Sequence, residues 1–288
     1  LEDLVTRWVR NAVRETGIPR VAVGGGAFMN VKANMRLAAL DEVDEVFVHP
    51  SCGDTSLAIG AAYAVCADED GSAGPEGSLG PIYWGPGYGR DEMGSALSER
   101  SMEVEEPENV EARVAELLAQ GHIVANFDGR MEWGARALGN RSILVDPRDR
   151  DSVRRVNMKV KERDFWMPFA PTILSERASD YIEGFAGQRA SYMIRAFPTT
   201  DQGKRDLPAA MHPYDETIRP QILTQEDNPG YWRILKEFEE RTGVGGVLNT
   251  SFNLHGEPIV RSPEDAVDTL ARSGLHWLRL GPYVVRDE

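Results

Sequence analysis

At 288 residues, 41% hydrophobic and 27% charged, the chain is long enough for two domains and has an ordinary globular composition. Its net charge of −14 argues against general nucleic-acid binding, and no run approaches the roughly 18 apolar residues of a membrane helix. Cys52 and Cys66 are too few for a disulfide framework or a cysteine zinc site, so both read as small buried residues in a reducing, cytoplasmic setting.

The chain opens at Leu1 directly in a helical pattern, which reads as a piece of a longer polypeptide. Leu4, Val5, Trp8, Val9 and Val13 mark one helix face, and Gly17 and Pro19 stop it. A short strand from Arg20 runs into Gly24, Gly25 and Gly26. A helix over 30–40, a strand over 45–49 and an alanine-rich helix over 56–67 follow. This βα repetition implies a parallel sheet with ligands at the carboxyl ends of its strands. The triple glycine reads equally as a phosphate cradle or a tight turn with no ligand. Asp54, at the head of the next helix, reads first as a cap and second as a metal ligand. Residues 68–86, rich in glycine and proline, read as a linker, with a domain boundary near residue 78.

Beyond the linker the pattern predicts a helix over 108–120 and a strand over 122–127. A strand at 143–145 and a helix over 151–160 come next. An aromatic and proline cluster at 165–171 suggests a packed wall. A helix over 175–186, a strand over 191–197 and an extended stretch over 207–224 with His212, Arg219 and Gln221 follow. The last elements are a helix over 229–243, a strand over 244–248, a helix over 264–273 opened by Ser262 and Pro263, and two closing strands.

Between the strands at 122–127 and 143–145 lies Asp128-Gly-Arg-Met-Glu-Trp-Gly-Ala-Arg-Ala-Leu-Gly-Asn-Arg-Ser142. There Arg130, Arg136 and Arg141 are interleaved with Gly129, Gly134 and Gly139. Glycines let a backbone approach a ligand and arginines offer charged forks, so the stretch suits a compact anion; the alternative is a solvated loop. Residues 130–163 carry a net charge of +5, which leaves −19 for the rest of a −14 chain. Such a basic island points to a small anionic ligand. No Gly-x-Ser-x-Gly elbow, paired-histidine metal motif or Walker loop is present. The remaining equipment is phosphate binders (the arginines, Lys159, Arg163 and Arg219) and short hydrogen-bonders (Asn249, Thr250, Ser251 and Asn253), which suits adenylyl or phosphoryl chemistry.

At these residues the chain resembles the O-carbamoyltransferases of the NodU/CmcH type, which act in nodulation-factor and antibiotic tailoring. The motifs are Asp128 to Ile143, Met167-Pro-Phe-Ala-Pro171, Leu248-Asn-Thr-Ser-Phe-Asn253 and Gly256-Glu-Pro-Ile259. The resemblance implies an α/β protein in which a partial ASKHA (RNase H-like) lobe, 1–78, precedes a YrdC-like α/β domain with a twisted mixed sheet, 79–288. The second domain would join carbamate, released from carbamoyl phosphate, to Mg²⁺-bound ATP, giving carbamoyl-adenylate. The first would pass the carbamoyl group to a small-molecule hydroxyl.

By position, Arg130, Arg136, Lys159, Arg163 and Ser251 would be catalytic. Arg141, Ser142, Arg219, Asn249, Thr250 and Asn253 would bind substrate or nucleotide, as would Gly24, Gly25, Gly26 and Asn30 in the first domain. Asp54 would ligate an iron-like divalent metal whose co-ligands belong to a first half not contained here, so no tightly held metal is expected. The resemblance implies no nucleic-acid or membrane partner and leaves a homodimer open. Two alternatives are a threonylcarbamoyl-adenylate-type synthase and a non-catalytic nucleotide-binding module completed by a partner chain.

Overall fold

The computed structural model describes residues 1–71, 79–98, 100–161 and 168–287, with only the main chain of Asp70, Lys159 and Lys161. The chain separates into two compact units: Leu1–Ile82 with Met193–Ala196, and Tyr83–Tyr192 with Phe197–Glu288.

In the first unit, α1 (Glu2–Thr16) buries Val5, Val9 and Val13, successive four-residue steps along one stripe, and ends at Gly17 with φ 69°. Leu4 and Trp8, on the edge of that stripe, are exposed. β1 (Arg20–Val23) leads through a 3₁₀ turn to α2 (Val31–Ala38), and β2 (Glu45–Val48) returns parallel to β1, pairing Arg20 with Glu45 through to Val23 with Val48. Parallel strands need such a crossover. The expected parallel pairing is therefore present. α3 (Leu57–Asp70) is apolar from Leu57 to Ala67 and ends in Asp68, Glu69 and Asp70; none of its described residues is buried, with Leu57 70% exposed and Val65 54%.

Residues 193–196 do not form the expected strand. Their main chain is engaged by α2 instead: Asn34 Nδ2 donates to the Ile194 carbonyl at 2.7 Å, and the Ala196 N–H donates to the Val31 carbonyl at 3.2 Å.

The second unit contains α4 (Arg90–Ser98), β3 (Glu103–Glu105), α5 (Val110–Ala119), β4 (Val124–Phe127), β5 (Arg141–Val145), α6 (Arg150–Val156), β6 (Ala170–Leu174), α7 (Ala178–Tyr181), α8 (Asp201–Asp206), β7 (Gln221–Leu223), α9 (Pro229–Thr242), β8 (Gly246–Ser251), α10 (Pro263–Ser273), β9 (Trp277–Leu280) and β10 (Tyr283–Arg286). Among the described residues its strands form one eight-stranded mixed sheet in the order β3-β10-β9-β4-β5-β8-β6-β7. The β4–β9 and β6–β7 pairs are parallel and the others antiparallel.

Tyr231, Ile234, Leu235 and Phe238 of α9 are buried, as their spacing required, and each fully buried side chain of this size contributes roughly 1.5–3 kcal/mol. Ser262 and Asp265 form the capping box that opens α10. The helix expected over 175–186 shrinks to a 3₁₀ turn and the four-residue α7. The stretch 207–224 is less extended than expected, with a 3₁₀ turn over Pro208–Ala210 before β7. The helix begun at Arg150 passes into a π turn over Asn157–Lys161. Of the cluster at 165–171, residues 165–167 lie outside the described residues, while Ala170 and Pro171 begin β6.

Candidate functional site

Register aligns a polar row across the second unit's sheet. Arg279 of β9 lies opposite Asn126 of β4, Asn126 opposite Ser142 of β5, and Ser142 opposite Ser251 of β8. Directly paired residues share a face, so four polar side chains stand together across four strands.

Above this row runs the segment 137–141, and its buried main chain is satisfied largely by side chains. Asn249, Gln221 and Asn126, from β8, β7 and β4, donate to the successive carbonyls of Ala137, Leu138 and Gly139 at 3.3, 2.9 and 2.6 Å. The Tyr83 hydroxyl donates to the Leu138 carbonyl as well, at 2.9 Å. The Gly139 N–H donates to Ser142 Oγ at 3.0 Å. The N–H groups of Leu138, Asn140 and Arg141 converge on Glu132 Oε1 at 2.8, 2.8 and 3.1 Å. An unmade bond at any of these buried groups would cost about 1–3 kcal/mol, which explains why so many strands contribute one polar residue each.

Gly139 is required twice over. Its φ is 121°, and a Cβ at that position would stand 2.2 Å from the Tyr231 ring. The main-chain donors of the expected anion cradle are thus taken up by a carboxyl of the chain itself, that of Glu132. Burial pushes the Glu132 carboxyl above its ordinary value.

Arg141 is fully buried. Its guanidinium lies over the Phe127 ring, 3.5 Å from the centroid, and donates to the carbonyls of Asp128 at 2.9 Å, Asn140 at 3.0 Å and Gly129 at 3.3 Å. Burial brings its pKa down to about 10, still charged at neutral pH. It serves the turn from inside, because each of these contacts is to main chain. Arg130 is exposed, yet it also donates to main chain, to Gly85 O at 3.0 Å and Trp84 O at 2.6 Å. Trp84 and Trp133 stack beside it with centroids 5.2 Å apart. At the head of the stretch, Asp128 receives Arg279 Nη2 at 2.9 Å, which also reaches Glu111 at 3.2 Å.

The structure thus brings Arg130, Arg136, Arg141, Ser142, Asn249 and Ser251 to one region of the second unit. Arg136 is half-buried and adjoins the braced segment. Thr250 is buried in β8 and faces away from the polar row, since it pairs with Ile143. Ser251 and Asn253 are half-exposed, and the Ser251 hydroxyl donates to Asn253 Oδ1 at 2.6 Å. Arg219 is half-buried two residues before Gln221. The Lys159 side chain and Arg163 lie outside the described residues.

In the first unit, Gly25 has φ 99°, and no heavy atom lies within 4 Å of where a Cβ would be at Gly24, Gly25 or Gly26. Asn30 caps α2, its Oδ1 accepting from the Lys32 and Ala33 N–H groups, both at 3.0 Å. Asp54 is exposed at the first position of a 3₁₀ turn and does not cap the helix behind it. Among the described residues no group of three or more His, Cys, Asp or Glu could hold a metal ion. Among them too, no helix is long and apolar enough to cross a membrane.

Asn126, Glu132, Gln221 and Arg279 had no role in the site assigned from sequence. The available signal was a polar residue inside an apolar strand run, as in Val-Ala-Asn126-Phe and Trp-Leu-Arg279-Leu.

Residues 115–287 match the family described as Carbamoyltransferase C-terminus, and residues 1–63 the one described as Carbamoyltransferase N-terminus. The chain is 35% identical to nodulation protein NolO of Bradyrhizobium diazoefficiens, the match covering 99% of this chain and 53% of that protein. It is 37% identical to nodulation protein NolNO of Sinorhizobium fredii, covering 99% and 42%. The chain spans about half the length of the curated relatives it matches. Full-length HypF, solved in a phosphate- and nucleotide-bound form, aligns at a TM-score of 0.41 and 16% identity over 65% of this chain and 22% of that one, too slight a likeness to argue from.

Proposed function

The chain belongs to the carbamoyltransferase family, and from that premise we propose that its second unit makes carbamoyl-adenylate from carbamoyl phosphate and ATP. Carbamoyl phosphate would lose its phosphate to water, and the carbamate oxygen would attack the α-phosphorus of Mg²⁺-bound ATP and displace pyrophosphate. The whole protein would then pass the carbamoyl group to a small-molecule hydroxyl. The observation that carries this reading is the braced segment 137–141 with Arg130, Arg136 and Arg141 around it, beside the half-exposed Ser251 at the end of β8 and Asn253 in the loop beyond it.

Phosphoryl and adenylyl transfers need little covalent help from protein; they need fixed positive charge and positioning, and a turn with its main chain already satisfied supplies positioning. Lys159, Arg163 and Arg219 would add charge at the phosphates, and Ser251 with Asn253 would hydrogen-bond the carbamoyl group.

The test is ATP–pyrophosphate exchange by the purified protein, with and without carbamoyl phosphate. Exchange that requires carbamoyl phosphate supports the proposal. Exchange that requires bicarbonate and threonine instead would move the activity to threonylcarbamoyl-adenylate synthesis, and no exchange or carbamoyl phosphate hydrolysis would refute both.

One observation favours a second reading, a nucleotide-binding module completed by another polypeptide. From Leu57 to Ala67 α3 is apolar and none of these residues is buried, and such a surface marks an interaction site. Sizing the protein alone and with an amino-terminal carbamoyltransferase fragment distinguishes the two: a stable complex with no exchange by either component alone would favour the module.

A further inference from the structure

Three main-chain N–H groups converging on one oxygen form an anion-binding nest, the arrangement other proteins use for phosphates and oxyanions. Here the occupant is internal. Glu132 is five residues upstream of the segment whose N–H groups it collects, and only 7% exposed. Salt bridges are formed by many carboxylates of this chain, but no lysine or arginine lies within ion-pair distance of Glu132 among the described residues; its partners are main-chain donors. The opposite side of the segment is held by Asn126, Gln221 and Asn249, so Glu132 supplies the only side-chain acceptor for the N–H groups of Leu138, Asn140 and Arg141 among the described residues.

We infer that Glu132 is the positioning residue of the arginine turn: it fills the turn's nest from within, so incoming phosphates meet arginine side chains and not main chain. What the turn requires at this point is an acceptor oxygen; a buried negative charge is costly, as the raised carboxyl indicates. This inference rests on the proposed function for its effect on activity, but not for its effect on the turn.

Three variants with two readouts test it. E132Q keeps an oxygen able to accept from all three donors. E132A removes it and leaves a space that formate can enter. Amide hydrogen exchange of the peptide covering 137–141 is expected to accelerate roughly 100-fold in E132A, to slow again with formate but not with chloride at equal ionic strength, and to change by less than about tenfold in E132Q. Carbamoyl-phosphate-dependent pyrophosphate exchange should follow the same order, with kcat/KM down about 100-fold in E132A and partly restored by formate.

Equal amide protection in E132A and the wild type would overturn the inference, as would loss in E132A that formate does not restore. If E132A does not fold, E132Q together with the isosteric E132M decides: protection kept in Gln and lost in Met supports an acceptor role, and the same protection in both refutes it. A wild type without pyrophosphate exchange would remove the proposed function, while amide protection would still judge the role of Glu132 in the turn.

Discussion

The two glycine-rich turns of this chain look alike as sequence and are built in opposite ways. At Gly24–Gly26, nothing within 4 Å would meet an added Cβ; the chain then buries Phe28 and reaches Asn30, which caps α2. The stretch from Gly129 to Gly139 is closed at its ends: an added Cβ would stand 3.0 Å from the Asn140 amide at Gly129 and 2.2 Å from the Tyr231 ring at Gly139, and side chains from three strands hold the carbonyls of residues 137–139. A turn satisfied by side chains keeps one shape without a ligand. A turn with open space around its glycines can be reshaped by whatever binds it. Preorganisation for a charged transition state therefore belongs to the second turn.

The largest expected effect is at Gly139. Its φ is positive and its Cβ space is taken by Tyr231, so Gly139→Ala combines left-handed strain with overpacking, about 3–5 kcal/mol together. Urea unfolding would report it, and a loss under 1 kcal/mol would show that the enclosure is loose. Asn126→Ala strands the buried Gly139 carbonyl and should cost about 1–3 kcal/mol in the same measurement.

A pH effect comes next. Burial raises the Glu132 carboxyl above the ordinary 4.5, so its stabilising share is complete below about pH 4.5 and declines as pH rises through the higher folded value. The Tm of E132Q relative to wild type should thus climb as pH rises above about 4.5, whereas a constant difference would mean that the carboxyl is not penalised. The smallest effect is at Gly24, which has an ordinary φ and open space; Gly24→Ala should stay within about 0.5 kcal/mol of wild type, and a larger loss would mean the first turn is also enclosed.

Much of the scaffold could be read from the residues, because strong periodicity and local caps specify α1, α9 and α10 without help from distant parts of the chain. The segment 191–197 carries strand-like residues, but Asn34 and Val31 of α2 take its backbone groups, a tertiary effect with no local trace. The arginine turn was recognisable by its glycines and charge. Its internal wiring was not, since the bonds of Asn126, Gln221 and Asn249 span 13, 83 and 112 residues. Arg141 and Asn249, read from sequence as substrate or nucleotide binders, are buried and donate to main chain of the turn, wiring that only burial and partners reveal.

The comparison is tested most directly by carbamoyl-phosphate-dependent ATP–pyrophosphate exchange measured side by side in wild type, Asn126→Ala and Gly24→Ala. The account predicts that Asn126→Ala, folded by circular dichroism, loses at least about tenfold in kcat/KM while Gly24→Ala matches wild type. Full activity in Asn126→Ala, or a comparable loss in Gly24→Ala, would contradict it.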